Sequence, residues 1–126
     1  MLLMLKPVGY TKKPWGMELL YVHNGNYAGK ILCIEEGHRL SLQKHEIKSE
    51  TMCIVGGDGI FELNGDTFDV TVGDIIDIKA GDVHRITAKT YLTIAETSTP
   101  ELDDVVRLED DYGRVQSASK NEKVTK

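Results

Sequence analysis

Three side chains that can donate electron pairs to a metal ion, Gln43, His45 and Glu50, occur within eight consecutive positions of this sequence. If residues 39–45 form a β-strand, Gln43 and His45 lie on the same face, because alternate side chains of a strand share a face. In the following segment, Glu50 shares a face with the apolar residues Met52 and Ile54. A carboxylate on an apolar face is costly to bury unless a cationic partner meets it. The spacing therefore indicates a metal site, and a surface strand whose polar face meets water is the alternative.

The segments that must position these residues are short, apolar and separated by turns. Turn-forming residues recur about every eight to twelve positions, a spacing typical of an all-β sandwich or barrel. The strongest hairpin signal is Asn64-Gly65 between residues 60–63 and 67–72, because Asn-Gly accepts the positive φ angles of a type I′ turn. We predict about eight or nine strands that close on themselves. A single helical turn is expected at residues 100–104.

Length and charge restrict the organisation of the chain and its partners. The 126 residues suffice for one domain. We expect this domain to span residues 1–115, with residues 1–8 as an N-terminal arm, and to be followed by a flexible polar tail at residues 116–126. The net charge of −5 argues against a nucleic-acid partner but leaves an anionic small molecule open.

The location in the cell follows from the apolar N-terminus and the two cysteines. Residues 1–5 are apolar, but the run is too short to cross a membrane or to form the core of a signal peptide. Cys33 and Cys53 each lie in an apolar segment, and we expect two buried free thiols, as in a reducing compartment. The sequence therefore predicts a cytoplasmic protein with no membrane partner.

A second segment, residues 73–84, reads as a strand, a turn and a histidine at the start of the next strand. Together with the first segment it resembles the two motifs of the cupin superfamily. The first motif would comprise Gly37, Gln43, His45, Glu50 and Gly57, and the second Gly73, Gly81 and His84. The resemblance implies an all-β, single-domain cupin barrel (the double-stranded β-helix or jelly roll). It also implies one divalent metal ion per chain, bound by Gln43, His45, Glu50 and His84. Lys79 replaces the usual proline of the second motif, and Gln43 replaces the usual first histidine.

A more specific resemblance rests on the glutamine and on both ends of the chain. The stretch RLSLQ at 39–43, with KPWG at 13–16 and DDVVRLEDDYGR at 103–114, resembles the cupin domain of type II phosphomannose isomerases. The resemblance covers about 100 of the 126 residues. It implies a metal-dependent aldose–ketose isomerase, an intramolecular oxidoreductase that acts on mannose 6-phosphate and fructose 6-phosphate. Lys48 and Met52 stand where that family commonly has arginine and tryptophan, and these departures concern the choice of substrate.

The ligand set bears on the identity of the metal. Two imidazoles, one amide oxygen and one carboxylate give a mixed nitrogen and oxygen set, without the thiolates of most structural zinc sites. We expect zinc first, with manganese, iron, cobalt and nickel as alternatives. The metal that occupies such a site depends on which ions are available as well as on the affinity of the ligands for each ion.

Aldose–ketose isomerisation also needs a base and cations that hold the phosphate. Arg85 directly follows His84, as in the His-Arg pair of the phosphomannose isomerases that the chain resembles. The resemblance therefore implies that Arg85 takes part in catalysis and in substrate binding. Arg39, on the predicted face of Gln43 and His45, and Lys30 are further candidates for substrate binding. Each of these cations could instead be a solvated surface charge.

The identity of the base is less restricted. Glu96 shares a strand face with Leu92 and Ile94 and is our first candidate, and Glu18 and Tyr21 are the others. Two alternatives to the isomerase stay open: a non-catalytic cupin that binds a sugar or a metal, and an enzyme that acts on another phosphosugar or a nucleotide sugar.

The apolar N-terminus predicts self-association. Residues 1–5 have no core of their own, so we expect a homodimer in which they pack against the partner barrel or add a strand to its edge. The mass in solution at micromolar concentration should therefore be about twice the 14.0 kDa of one chain. A mass equal to that of a single chain would contradict this prediction.

Overall fold

The computed structural model describes residues 9–115, which form eleven β-strands and no helix. The strands are β1 (Gly9–Lys13), β2 (Gly16–His23), β3 (Ala28–Ile34), β4 (Leu42–Lys44), β5 (Glu50–Gly56), β6 (Gly59–Leu63), β7 (Asp66–Val70), β8 (Ile75–Ile78), β9 (His84–Ala88), β10 (Leu92–Ser98) and β11 (Val106–Glu109). Six of them form one sheet in the order β1-β2-β3-β10-β5-β8, and five form a second in the order β11-β4-β9-β6-β7. All pairings are antiparallel.

The core lies between the two sheets and follows from alternation along the strands. In β5 and β10, every second residue is buried, and the buried set includes Ile54, Leu92 and Ile94. These side chains meet Phe61 of β6 and Ile86 of β9 from the opposite sheet. Burying each such side chain contributes about 1.5–3 kcal/mol, so this core is the main source of stability.

The predicted hairpin is confirmed and helps to position a site residue. Asn64 and Gly65 have φ angles of 49° and 93°, both positive as a type I′ turn requires. The side chain of Asn64 accepts a hydrogen bond from the backbone N–H of Val83 at 2.9 Å and donates one to Asp82 at 3.1 Å. The turn therefore holds the loop that leads directly into His84.

The all-β prediction is confirmed, but the estimate of eight or nine strands is too low. The strands β1, β2 and β11 were not predicted, because they are edge or near-edge strands with few buried apolar residues. The predicted strand at residues 39–45 is reduced to β4, with Arg39 in an isolated bridge to Thr87. Residues 100–104 form turns, so the expected helical turn is wrong.

Several predictions concern other parts of the molecule. The N-terminal arm (residues 1–8) and the polar tail (residues 116–126) lie outside the described residues, so their roles stay predictions.

Cys33 is buried and Cys53 half-buried, and both are free thiols. In the described part of the chain, no helix has the length and apolar character needed to cross a membrane.

Candidate metal centre

Three strand ends bring His45, Glu50 and His84 together. His45 directly follows β4, while Glu50 and His84 are the first residues of β5 and β9. All three are buried, with 2%, 5% and 2% of their surface exposed. Their ligand atoms lie within 4.8 Å of one another. Oε2 of Glu50 is 2.9 Å from Nε2 of His45 and 3.2 Å from Nε2 of His84.

Backbone carbonyls determine the orientation of both imidazoles. Nδ1–H of His45 donates to the carbonyl oxygen of Asp104 at 2.6 Å, and Nδ1–H of His84 donates to that of Asp82 at 3.0 Å. A carbonyl oxygen can only accept, so Nδ1 must carry the proton in each ring. The Nε2 atoms are thereby aimed at Glu50, which is the arrangement typical of metal-bound histidines.

The donor atoms at this point fit a cation. Among the described residues, Nε2 of His84 is buried and has no hydrogen-bond partner, although a carboxylate oxygen lies nearby. With its proton on Nδ1, His84 presents a lone pair to an oxygen that also carries lone pairs, and the two repel unless a cation lies between them. Two imidazole nitrogens and a carboxylate are ligands that zinc and other divalent transition metals accept.

The charges of His45 and Glu50 agree with this interpretation. Burial disfavours the charged imidazole, but the hydrogen bonds with Glu50 and with the carbonyl of Asp104 raise the pKa of His45 overall. Burial also disfavours the charged carboxylate, but the hydrogen bond from His45 and the charge of Lys48 lower the pKa of Glu50 well below its usual range. Glu50 is thus ionised at neutral pH, and a divalent ion would take the place of the Nε2 proton of His45.

Gln43 is the fourth predicted ligand. It lies in β4 directly opposite His84 of β9 and lines the same cavity as His45 and Glu50. Opposite residues of an antiparallel pair share a face, so the amide is next to the imidazole of His84. The structure therefore brings together all four residues of the predicted ligand set, three by measured distances and Gln43 by register.

A cavity of about 120 Å³ adjoins this group. Its lining carries five cationic side chains and three carboxylates, although the chain as a whole has a net charge of −5. The cations are Lys13, Lys30, Lys48, Arg107 and Arg114, and the carboxylates are Glu18, Glu50 and Glu96. The cavity therefore favours an anionic ligand in a protein that is acidic overall.

Glu96, the first candidate for the base, is buried beside the metal ligands. Lys48 lies between the two carboxylates, with Nζ 3.5 Å from Oε1 of Glu50 and 3.5 Å from Oε2 of Glu96. Burial, followed by the negative charge of Glu50, raises the pKa of Glu96 to about 7. Burial disfavours the ammonium group, but Glu96 and Glu50 raise the pKa of Lys48 overall, so it stays charged. Glu96 can thus accept or release a proton near neutral pH.

The other predicted site residues differ in their placement. Lys30 lines the cavity directly opposite Glu96 in the register of β3 and β10, and forms an ion pair of 3.2 Å with Glu18. Glu18 also lines the cavity, whereas Tyr21 is exposed and is absent from the lining. Of the two remaining candidates for the base, only Glu18 reaches the site.

The structure places Arg85 and Arg39 outside the cavity. Arg85 follows His84 in β9 and so points to the other face, where Nε–H donates to the carbonyl oxygen of Leu40 at 3.0 Å and the guanidinium contacts Glu109 at 3.4 Å. Arg39 is bound by both carboxylate oxygens of Asp111, at 2.7 and 2.8 Å. The expected common face of Arg39 and Gln43 required a continuous strand, which the chain does not form.

Sequence reasoning missed Asp104, which positions two parts of the site. Its carboxylate accepts hydrogen bonds from the backbone N–H groups of Glu46, Ile47 and Lys48, at 3.0, 2.6 and 2.8 Å. Its carbonyl oxygen accepts the proton of His45 Nδ1. The three backbone donors lower the pKa of Asp104 to about 2. One residue thus fixes both a ligand histidine and the turn that carries Lys48.

Lys13, Arg107 and Arg114 were also missed as lining residues. All three belong to the stretches 13–16 and 103–114 that carry the sequence resemblance, which was the available signal. Their position near the metal ligands depends on pairing between strands far apart in the chain, such as β11 with β4.

Comparison of the sequence with known families gives one match that covers most of the chain. Residues 8–110 match the sequence model of the family described as mannose-6-phosphate isomerase C-terminal. The chain is 33% identical over 107 residues to the alginate biosynthesis protein AlgA of Pseudomonas aeruginosa, a match that covers 81% of this chain and 22% of AlgA. The chain thus spans about a fifth of the length of that relative.

Solved structures with the same fold are more distant in sequence. An RmlC-like cupin from Shewanella frigidimarina has a TM-score of 0.71 at 16% identity, covering 77% of this chain and 87% of that one. KdgF from Halomonas sp. has a TM-score of 0.69 at 17% identity, covering 76% and 91%. The capsular polysaccharide assembling protein CapF from Staphylococcus aureus also reaches 0.69 at 17% identity, covering 82% of this chain and 34% of that one. At these identities the likeness concerns the fold alone, and it confirms the predicted cupin barrel.

The metal centre predicts a stoichiometric ion that stabilises the fold. The protein purified without chelator, or titrated with zinc or manganese, should bind about one ion per chain. At 100 times its Kd the ion should raise the free energy of unfolding by about 2.7 kcal/mol, because it binds only the folded chain. His84→Ala should abolish both effects, whereas His23→Ala, at an exposed histidine outside the site, should retain them. Elemental analysis and thermal unfolding measure the two quantities. A wild type that binds neither metal would show that the assignment is wrong.

The role of Asp104 predicts a stability difference that depends on pH. In Asp104→Asn, an amide NH₂ group would face backbone donors, so the variant should unfold at lower urea concentration near pH 6. Because the pKa of Asp104 is lowered from 3.8 to about 2, its contribution is fully present above pH 4 and is lost as the pH falls towards 2. The difference between wild type and variant should therefore shrink between pH 4 and 2, and a difference that is constant over this range would contradict the role of the carboxylate.

Proposed function

The chain belongs to the mannose-6-phosphate isomerase C-terminal family, and from this premise we propose that it is a metal-dependent aldose–ketose isomerase of a sugar phosphate. Mannose 6-phosphate and fructose 6-phosphate are the first candidate pair of substrates. The observation that carries the proposal is the buried carboxyl group of Glu96, which lies beside a metal-ligand cluster and inside a cavity with an excess of cations. These are the three components that the reaction needs.

The reaction moves hydrogen between neighbouring atoms without net oxidation. A proton leaves C2 of the aldose and another arrives at C1, while O2 loses a proton and O1 gains one. A divalent ion held by Gln43, His45, Glu50 and His84 would polarise the carbonyl group and stabilise the negative charge that develops on its oxygen. The remaining work falls to residues of the cavity.

Glu96 is suited to transfer the carbon-bound proton. With a pKa of about 7, the carboxylate can take a proton from C2, and the carboxylic acid that results can return one to C1. The carboxyl group is held in place by Lys48, at 3.5 Å, and shares its strand face with the buried Leu92 and Ile94. Its low exposure of 5% limits competition from solvent water for the proton.

Lys48 and Lys30 supply positive charge at the same place. The ammonium group of Lys48 is 4% exposed, so its charge acts through little intervening water. Lys30 lies opposite Glu96, and its Nζ is 3.2 Å from Oε2 of Glu18, whose negative charge it compensates. Both lysines therefore stabilise negative charge on a substrate oxygen beside the metal ligands, where the transition state is most anionic.

A second candidate function is a cupin that binds a sugar or a metal without turnover. The size of the cavity is compatible with a bound metal ion alone, since about 120 Å³ is below the 300–1,000 Å³ typical of small-molecule sites. The cavity is open to the surface, so a hexose phosphate need not be enclosed completely. An enzyme acting on another phosphosugar or on a nucleotide sugar would use the same arrangement of residues.

Hydrogen exchange separates these candidates. The metal-loaded wild type in deuterium oxide should interconvert mannose 6-phosphate and fructose 6-phosphate and incorporate solvent deuterium, as followed by NMR. Glu96→Gln should slow both by about 10²–10⁴-fold, because the amide cannot carry the proton, and should leave the metal content unchanged. Glu36→Gln, at an exposed position, is the matched control and should behave as wild type.

Two outcomes would count against the proposal in different ways. A metal-loaded wild type that neither exchanges hydrogen nor interconverts these sugars, with glucose 6-phosphate as a third substrate, would reject the phosphosugar isomerase and leave the binding cupin. Equal rates for wild type and Glu96→Gln would retain the reaction but remove Glu96 as the base.

A further inference from the structure

The C-terminal segment, residues 103–114, brings two arginines into the cavity. Arg107 lies in β11 directly opposite Gln43 of β4, which in turn lies opposite His84 of β9. The three residues therefore form one row across neighbouring strands, with their side chains on the same face. Adjacent strands are about 4.8 Å apart, so the backbone of Arg107 is roughly 10 Å from that of His84. Arg114 follows β11 and lines the same cavity.

Most cations of the cavity already have carboxylate partners. Lys30 pairs with Glu18, Lys48 with Glu50 and Glu96, and Arg114 with both oxygens of Asp110. Within residues 9–115, no ion pair is formed by Arg107 or by Lys13. These two side chains are thus the cations of the cavity whose charge no carboxylate of the described residues pairs with.

The surroundings of Arg107 make a bound anion favourable. Arg107 is half-buried, and burial, followed by the charge of Arg114, lowers the pKa of its guanidinium group, although Asp110 acts in the opposite direction. A partly desolvated cation that faces a second cation is stabilised by an anion placed between them. The planar guanidinium also offers paired N–H donors that match the oxygens of a phosphate group.

We propose that Arg107, supported by Arg114 and Lys13, forms a phosphate subsite at the β11 side of the cavity. The inference rests on the proposed function and adds the orientation of its ligand: the phosphate lies at Arg107, and the carbonyl end lies at the His84 end of the same row, with Gln43 between them. This subsite replaces the one expected from Arg39 and Arg85, which point away from the cavity.

Binding measurements on the metal-loaded protein test the subsite without relying on turnover. Isothermal titration should show that inorganic phosphate and mannose 6-phosphate bind the wild type, and that mannose 6-phosphate binds more tightly than mannose. Arg107→Met should weaken the binding of both phosphate-containing ligands by about 10- to 100-fold, as expected for a lost hydrogen bond to a charged group. The affinity for mannose and the metal content should not change.

Two further variants control for charge and for folding. Arg107→Lys should restore only part of the phosphate affinity, because an ammonium group lacks the paired donors of guanidinium. Lys89→Met removes an exposed cation outside the cavity and should leave all affinities unchanged. The thermal midpoints of the variants, measured with bound metal, identify any loss of affinity that arises from unfolding.

The outcomes distinguish the subsite from the proposed reaction. Phosphate binding that depends on Arg107, in a protein that does not isomerise sugars, would support the subsite and reject the isomerase. A metal-loaded wild type that binds neither phosphate ligand would overturn the subsite. Phosphate affinity that is equal in wild type and Arg107→Met would overturn it too, because the anion would then be bound by the metal or by other residues.

Discussion

The candidate site depends on one constraint, the donation of each ligand histidine's Nδ1 proton to a backbone carbonyl. The acceptors are the carbonyl oxygens of Asp104 for His45 and of Asp82 for His84. This constraint places a proton on Nδ1 of both rings and turns their Nε2 atoms towards Glu50, so two imidazole nitrogens and a carboxylate meet in a buried place where a cation between them stabilises all three. Much of the surrounding structure keeps these two carbonyls in position. The type I′ turn at Asn64 holds the loop before His84, and the carboxylate of Asp104 binds the turn after His45.

The C-terminal segment (residues 103–114) connects this constraint with the cavity. Three of its acidic residues each bind an arginine: Glu109 binds Arg85, Asp110 binds Arg114 and Asp111 binds Arg39. Arg85 and Arg39, which sequence reasoning assigned to the substrate, thus hold this segment against the outside of the barrel. Because the segment is held there, β11 pairs with β4 and Arg107 lies opposite Gln43. The two arginines outside the cavity therefore support the position of the one inside it.

What the sequence predicted correctly depends on short-range geometry. Residues 73–84 were predicted as a strand, a turn and a histidine that begins the next strand, and β8, the turn after it and β9 follow this order; the Asn64-Gly65 turn has the expected φ angles. The burial of Glu50 and Glu96 followed from alternation along a strand, which β5 and β10 obey. The errors about which arginines reach the cavity concern partners that are far apart in the chain. Arg39 and Asp111 are 72 positions apart and Arg85 and Glu109 are 24 apart, and no local pattern indicates that these pairs meet. Edge strands such as β1 carry too few buried side chains to give a periodic signal.

The central claim is that His45, Glu50 and His84 converge on a divalent cation, and a crystal structure of the protein grown with zinc or manganese tests it most directly. Anomalous scattering at the metal's absorption edge should give one peak per chain, about 2.0–2.2 Å from Nε2 of both histidines and from a carboxylate oxygen of Glu50. The Nδ1 atoms should keep their hydrogen bonds to the carbonyls of Asp104 and Asp82. A map without an anomalous peak at this position, in crystals that contain the metal in excess, would contradict the account. The buried cluster would then be stabilised by a proton shared between the imidazoles and the carboxylate.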